Sequence, residues 1–264
     1  MGKIYVVGMG PGREEGMTLE AVQALSASDV LIGYTVYIDL LREKYPEKEL
    51  LTTGMKQEVE RCRLCLEQAG AGKTVSLVCS GDAGVYGMAS LMLEVAEKEA
   101  NMNAKKNAAE ETEIEIVAGV TAALSGGALL GAPLGHDFCV VSLSDLLTPW
   151  ELIERRLRAA AEGDYVIVIY NPGSRSRADY LKKACDILSE KLPPERPCGL
   201  ARRIGREGEE AGVCTLEELK EKEVDMFTTV FIGNSMSRSI NGRLVTPRGY
   251  RGTTEQITER TAER

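Results

Sequence analysis

The chain has 264 residues, a net charge of -8, 44% hydrophobic residues and 27 glycines. This length accommodates two domains of about 130 residues, each able to build its own core. The acidic balance argues against general binding of nucleic acid or anionic membranes, because both require a basic face. The charge is uneven, with 12 Lys/Arg against 21 Asp/Glu in residues 1–149 and 20 against 19 in residues 150–264. An acidic ligand is therefore better suited to the second half.

In the first half, apolar strand patterns alternate with helical patterns. Strands are predicted at "KIYVVGMG", "VLIGY", "ELLTTG", "TVSLVCSGD" and "IEIVAG", and helices at "TLEAVQALSASD", "KQEVERCRLCLEQAGAG" and "GMASLMLEVAEKEA". The segment "NMNAKKNAAEETE" is interpreted as a polar surface excursion. The alternation predicts a parallel sheet covered by helices on both faces.

A second series of strands and helices follows Pro133. Strands are predicted at "FCVVSLSD", "DYVIVIYNP", "PCGLARRIG" and "TTVFIGNS", and helices at "PWELIERRLRAAAEG", "SRADYLKKACDILSEKL" and "TLEELKEK". The chain is therefore predicted to be an α/β protein of two domains, residues 1–136 and 137–264, with mainly parallel or mixed sheets and a cleft between them.

Seven cysteines, without a secretory signal at the N-terminus, indicate reduced thiols and predict a cytoplasmic protein. Cys62 and Cys65 form a C-x-x-C pair in a helical pattern, and no second pair or nearby histidine completes a metal site. We expect two buried cysteines and no protein-bound metal.

Residues 117–135 are uncharged over the length of a membrane span, but their Ala, Gly, Ser and Thr content favours a closely packed helix in a soluble protein.

Three glycine-containing loops follow predicted strands. They are "GMGPG" at residues 8–12, "SGDAGVYG" at residues 80–87 and "AGVTAALSGGALLGAPLGHDF" at residues 118–138. Open α/β sheets bind ligands beyond the carboxyl ends of their strands, so these loops are the candidate binding site. The first loop fails the dinucleotide pattern G-x-G-x-x-G because Arg13 occupies the sixth position.

The residues alone leave the role of Asp82 open to interpretation. Asp82, with little side chain around it, suits a positively charged small molecule, or it caps the following helix. His136 beside Asp137 is typical of a polar corner of the structure. No serine elbow or triad accompanies that pair.

In this order, the three loops resemble those of the tetrapyrrole methylases, two-domain α/β enzymes that transfer a methyl group from S-adenosylmethionine to a corrinoid or sirohaem precursor. This chain has Ala118 where that family usually has proline. The segments "SLSDLLTPWELIERRL", "VIVIYNPGSRSR", "VDMFTTVFIGNS" and "VTPRGY" resemble one subgroup, the C17-methyltransferases of cobalamin synthesis, which act on precorrin-3B or its cobalt-bearing counterpart and contract the ring.

The resemblance implies a donor site for S-adenosylmethionine, with S-adenosylhomocysteine as product. Its expected members are Gly10, Pro11, Gly81, Asp82, Val85, Thr121, Ala122 and, on the adenine side, Asn171. Methyl transfer is an in-line displacement that needs alignment and exclusion of water but no covalent nucleophile. Family members are commonly homodimers, so a homodimer is expected.

The implied substrate is a large ring rimmed with carboxylates, for which arginines are the expected partners. The candidates on second-domain loops are Arg175, Arg177, Arg203 and Arg248. Ring contraction requires proton transfer, and His136 is the candidate group, with Asp137 or Ser144 as helper. The sequence leaves open whether the substrate carries cobalt.

Three alternatives remain at this stage. A nucleotide-dependent oxidoreductase would use "GMGPG" for a pyrophosphate, but this leaves the later motifs unexplained. A non-catalytic tetrapyrrole carrier would need the arginine-containing loops but gives no reason for three donor-type loops. A methylase acting at another corrin position is the nearest rival.

Overall fold

The computed structural model describes residues 2–104, 112–174 and 177–250. It divides into two compact units, the first ending at Ser125 and the second beginning at Gly126. Both combine helices with a five-stranded sheet, which confirms the predicted α/β class.

The first unit is built on a fully parallel sheet. Its strands are β1 Lys3–Gly8, β2 Val30–Tyr34, β3 Glu49–Thr53, β4 Thr74–Cys79 and β5 Glu113–Val117, in the order β3-β2-β4-β1-β5. Its helices are α1 Leu19–Ala27, α2 Thr35–Asp39, α3 Glu58–Gly70 and α4 Ala89–Ala104, with a short 3-10 helix at Glu14–Gly16. The prediction of a parallel sheet is confirmed.

Both faces of this sheet are covered, as the strand β1 shows. Ile4 and Val6 lie in one core with residues of α3 and α4, whereas Val7 lies in a second core with residues of α1 and α2. Successive side chains of a strand point to opposite faces, so a strand buried on both sides is almost continuously apolar. This explains why "KIYVVG" lacks a polar alternation.

The predicted burial of the C-x-x-C pair is confirmed, because Cys62 and Cys65 are both fully buried. Desolvation raises the pKa of Cys62 to about 12 and that of nearby Cys79 to about 11, and it also raises the pKa of Cys65. In residues 2–104, 112–174 and 177–250, no group of three or more His, Cys, Asp or Glu side chains is placed to hold a metal ion.

These thiols should be unreactive in the folded protein. At pH 8 a thiol of pKa about 12 is ionised in roughly one molecule in ten thousand, and only the thiolate reacts. We expect pulse alkylation with iodoacetamide, read by peptide mass spectrometry, to leave Cys62, Cys65 and Cys79 unmodified in buffer. All three should be modified in denaturing urea. Rapid labelling of any of them in the native protein would contradict this burial.

The second unit contains a mixed sheet in the order β10-β9-β11-β8-β7. Its elements are β6 Gly131–Ala132, β7 Phe138–Ser142, α6 Trp150–Glu162, β8 Val166–Tyr170, α7 Tyr180–Leu188, β9 Pro197–Arg202, β10 Glu210–Thr215, α8 Leu216–Leu219, β11 Thr228–Ile232, β12 Arg238–Ile240 and β13 Arg243–Val245. The strands β7 and β8 are parallel, and β11 is antiparallel to both β8 and β9. A small second sheet pairs β12, β13 and β6.

The helix α5, Ala122–Leu130, begins in the first unit and ends in the second. The division at 125/126 therefore differs from the 136/137 boundary expected from the sequence. The packing of Gly126 explains the difference, since an added Cβ would lie 3.0 Å from Ile204 Cδ1 and 3.1 Å from Ala201 Cβ. From that point the helix packs against residues of the second unit.

The uncharged stretch at residues 117–135 forms only this nine-residue helix, flanked by β5 and β6. A helix needs about 20 residues to span the bilayer core. Nowhere in the described part of the chain does a helix reach the length and apolarity required for that.

Candidate functional site

Three loops meet at one edge of the first sheet. They are the β1 loop (residues 9–12), the β4 loop (residues 80–88) and the β5 loop (residues 118–121), each of which follows its strand directly. The strands β4, β1 and β5 are neighbours in the sheet and run in the same direction. Their carboxyl ends therefore lie side by side, which is the position that α/β sheets use for ligands.

The β1 and β4 loops are joined by their backbones. Gly10 N donates to Gly81 O at 2.9 Å, and Gly81 N donates to Gly10 O at 2.8 Å. The φ angles are 71° at Gly10 and 65° at Gly81, in the left-handed region that favours glycine. Their main-chain groups therefore hold the two loops together.

The β5 loop approaches the other two so closely that no side chain fits between them. A Cβ added at Gly119 would lie 2.1 Å from Gly81 O and 2.4 Å from Gly8 O. These are main-chain atoms, which cannot rotate away as a side chain can. Glycine at position 119 is thus a requirement of the contact among the three loops.

Asp82 fastens this arrangement. Its Oδ1 accepts from the N–H groups of Gly84 at 2.8 Å and Val85 at 3.1 Å, and its Oδ2 accepts from Gly119 N at 2.9 Å. An ionised carboxylate has about four acceptor positions, of which these bonds use three. The helix-cap interpretation is wrong, because α4 begins only at Ala89, beyond the groups that Asp82 binds.

The remaining first-unit candidates lie at the same edge. Pro11 follows Gly10 in the β1 loop, and the half-buried Val85 lies in the β4 loop. Thr121 immediately precedes α5, and its carbonyl accepts from Ser125 N at 3.1 Å, while Ala122 is the first residue of that helix. The structure therefore brings together all seven first-unit residues predicted for the donor.

A buried cation that the sequence analysis missed supports the far end of the β4 loop. Arg61 on α3 is only 4% exposed. Its guanidinium donates to Thr53 Oγ1 at 2.7 Å, Gly54 O at 2.9 Å and Met88 Sδ at 3.1 Å. Arg61 thus ties the end of β3 to the end of the β4 loop. In the sequence it lies in the middle of a helical pattern, and nothing there marks it as buried.

In the second unit, a polar cluster lies at the carboxyl ends of β7 and β8. Asn171, which follows β8, donates through Nδ2 to Ser142 Oγ at 2.9 Å. Ser144 N donates to the same Ser142 Oγ at 3.2 Å. Ser144 Oγ in turn accepts from Arg177 Nη1 at 3.1 Å. Of the residues predicted for this unit, Asn171, Ser144 and Arg177 are therefore brought together.

Arg177 already has an anionic neighbour there. Its Nη1 lies 3.2 Å from Asp145 Oδ1, and its side chain is 17% exposed. The Tyr180 hydroxyl donates to Asp145 Oδ2 at 2.6 Å. This hydrogen bond, together with Arg177, lowers the pKa of Asp145 below its usual value. Ser142, Asp145 and Tyr180 were missed, although the "SLSD" segment after a strand was a usable signal for the first two.

Of the two predicted helpers of His136, the structure places Asp137 beside it and Ser144 at the other end of β7. His136 and Asp137 precede β7, whereas Ser144 follows it, and a five-residue strand spans about 16 Å. His136 Nδ1 lies 3.7 Å from Asp137 Oδ2, with the two side chains 42% and 84% exposed. Ser144 hydrogen-bonds with Arg177 instead.

The other predicted arginines are distributed as follows. Arg203 is exposed just beyond β9, which runs in the same direction as β8 because both are antiparallel to β11. It therefore lies at the same edge of the sheet as Asn171. Arg248 is exposed after β13, and Arg175 lies outside the described residues.

The fold and its loops define a class of α/β protein in which three glycine-containing loops meet at the carboxyl edge of a parallel sheet. Residues 3–220 match the family of Tetrapyrrole (Corrin/Porphyrin) Methylases. The chain belongs to this family, as the loop motifs predicted.

The chain is also similar to individual members of this family. The chain is 43% identical over 247 residues to the probable cobalt-factor III C(17)-methyltransferase of Salmonella typhimurium, covering 94% of this chain and 99% of that protein. It is 40% identical to the precorrin-3B C(17)-methyltransferase of Sinorhizobium sp, covering 96% and 99%. Several other curated relatives are longer, and the chain spans 45% to 67% of their length.

A solved structure supports the assignment to this family. The crystal structure of the methyltransferase CobJ superposes with a TM-score of 0.83 at 37% sequence identity. The match covers 94% of this chain and 100% of that one. The two-unit fold is therefore that of a tetrapyrrole methylase.

Proposed function

We propose that this protein is an S-adenosylmethionine-dependent C-methyltransferase of cobalamin biosynthesis. Its reaction is methylation of C17 of precorrin-3B or of cobalt-factor III (cobalt-precorrin-3B), with contraction of the ring. The observation that carries the proposal is the edge where the β1 and β4 loops are joined by backbone hydrogen bonds and the β5 loop is bound through Gly119 N to the Asp82 carboxylate. The similarity to relatives named for C17 methylation, over nearly the whole chain, supports the position of attack.

In this proposal the three loops hold the donor by main chain and small side chains. The residues assigned to it are Gly10, Pro11, Gly81, Val85, Thr121 and Ala122. The family resemblance further assigns Asn171 to the adenine of the donor. S-adenosylmethionine supplies a methyl group already activated by a positively charged sulfur. A site crowded by bulky side chains could not approach so large a ligand closely, which is the chemical reason for glycine here.

Asp82 is a positioning residue in this account. Three of its acceptor positions are occupied by the N–H groups of Gly84, Val85 and Gly119. Its negative charge nevertheless remains beside the loops and favours a cationic donor there. Its main contribution is to fix the β4 loop against the β5 loop, so that the shape of the edge exists before the ligand arrives.

Alignment accounts for the catalysis of the methyl transfer. Well-oriented partners reach effective concentrations of about 10⁵ M or more, so the enzyme needs to hold the ring carbon in line with the donor and to exclude water. Arg203 and Arg248 are the exposed cations assigned to the carboxylates of the substrate, and the charge of Arg177 is partly offset by Asp145.

The proposal also includes a cytoplasmic location and a homodimer. Light scattering of the purified protein tests the dimer.

The decisive assay is incubation with S-adenosylmethionine and either precorrin-3B or cobalt-factor III. We expect the product mass to rise by one methyl group and NMR to place that methyl at C17 of a contracted ring. The preferred substrate decides whether the ring carries cobalt. A methyl at another ring carbon would refute the C17 assignment.

Calorimetry separates the proposal from its alternatives. We expect S-adenosylhomocysteine to bind and NAD to produce no heat of binding. An oxidoreductase would give the reverse result. A tetrapyrrole carrier would bind the ring alone and neither nucleoside ligand.

A further inference from the structure

Tyr86 in the β4 loop combines strain with exposure. Its φ angle is 53°, in the left-handed region, and the residue is 55% exposed. For a bulky L residue this backbone conformation is a genuine outlier, with a cost that glycine would not incur. An aromatic residue that remains more than half exposed recovers little of that cost by burial.

The surrounding loop imposes the conformation. On one side, Asp82 Oδ1 holds the N–H groups of Gly84 and Val85. On the other side, a Cβ at Gly87 would lie 2.4 Å from Ala83 O, and that carbonyl accepts from Ala89 N at 3.0 Å. The turn is therefore fixed on both sides of Tyr86, so its side chain extends from a rigid base.

The other non-glycine residues with positive φ provide a comparison. In the described part of the chain they are Lys56, Asp164, Asn171, Arg203 and Asn241. Asn and Asp tolerate this region through local hydrogen bonds, which an aromatic ring cannot make. Tyr86 is the aromatic member of the set, and it lies in the loop that contacts both neighbouring loops of the candidate site.

We propose that Tyr86 is a substrate-binding residue whose ring stacks on the conjugated plane of the tetrapyrrole. The inference rests on the proposed function and deepens it. Strained residues persist where the surrounding structure determines them and the strain serves a site. Aromatic rings pack in offset stacks on flat π-systems, and a rigidly presented ring makes such a contact with little loss of entropy.

The test uses Tyr86→Gly and Tyr86→Phe, with Asn241→Gly as a matched control at an exposed hairpin with φ 51°. The readout is the Kd of cobalt-factor III for the protein saturated with S-adenosylhomocysteine, taken from visible absorption titration. We expect Tyr86→Gly to raise the Kd of cobalt-factor III about tenfold, which corresponds to the loss of one aromatic contact. Tyr86→Phe should stay within twofold of wild type, because it keeps the ring.

Two further measurements distinguish binding from folding. Because glycine relieves the strain, the melting temperature of Tyr86→Gly should lie within about 3 °C of wild type or above it. Its Kd for S-adenosylhomocysteine should be unchanged. A tetrapyrrole Kd unchanged in Tyr86→Gly, an equal loss in Tyr86→Phe, or a collapse of stability would each overturn the inference.

This design tests tetrapyrrole binding and tetrapyrrole methylation separately. Wild-type protein that binds the tetrapyrrole without methylating it would refute the proposed function, while the Tyr86 comparison would still be decided by the Kd values. Wild-type protein that binds no tetrapyrrole would overturn both.

Discussion

Gly119→Ala is expected to abolish binding of S-adenosylhomocysteine and to lower the free energy of unfolding by about 3 kcal/mol. The added Cβ would lie 2.1 Å from Gly81 O and 2.4 Å from Gly8 O, so the β5 loop must move away from both neighbours. That movement breaks the bond from Gly119 N to Asp82. Overpacking costs about 1–3 kcal/mol and a charge-assisted hydrogen bond about 1.5–3 kcal/mol, part of which the loop recovers by relaxing.

Urea unfolding and calorimetry measure the two effects, and Gly127→Ala is the control. A Cβ at Gly127 finds its nearest neighbour, Pro133 Cγ, at 3.5 Å, an ordinary contact. Since Gly127 lies within α5, alanine there should stabilise the protein by up to about 1 kcal/mol and leave the Kd unchanged. Wild-type affinity in Gly119→Ala would show that the junction of the three loops is not the donor site.

Asp82→Ala is the second substitution with a large expected effect. It leaves the N–H groups of Gly84, Val85 and Gly119 without the carboxylate that accepts from them. Because the loop is partly exposed, water replaces some of these bonds, and we expect a loss of about 2–3 kcal/mol in unfolding free energy. Affinity for S-adenosylmethionine should fall at least about 100-fold, since both the shape of the edge and a favourable negative charge are lost.

Asp29→Ala is the matched control for this experiment. Asp29 Oδ2 accepts from Thr74 N at 2.8 Å, a bond of the same kind at the amino end of β4, away from the loops. Asp29→Ala should lower the free energy of unfolding by a similar mechanism and leave the Kd for S-adenosylmethionine unchanged. Equal affinity losses in the two variants would mean that Asp82 acts only through general stability.

The sequence was sufficient to predict the α/β fold and the three loops, because strand and helix periodicities are local properties. The bond between Asp82 and Gly119 could not be predicted, since it depends on β4 and β5 both flanking β1. Nothing in the order of the segments fixes that arrangement. For the same reason the two interpretations of Asp82 could not be separated from the sequence.

Other differences between the sequence-based predictions and the structure also have physical causes. The strand β10 was missed because its residues are exposed or only half-buried, so no apolar alternation marks it. His136 and Ser144 are close in sequence, but the strand between them carries them to opposite ends. The division at 125/126 precedes the predicted 136/137 boundary, and the glycines in the uncharged helix give no sign in the sequence that its second half packs against Ile204 and Ala201.

A crystal structure of the protein with S-adenosylhomocysteine tests the central claim most directly. We expect the ligand at the carboxyl ends of β4, β1 and β5, in contact with the assigned donor residues Gly10, Pro11, Gly81, Val85, Thr121 and Ala122. A ligand bound on any other surface of the protein, with these loops left untouched, would contradict the assignment of the donor site.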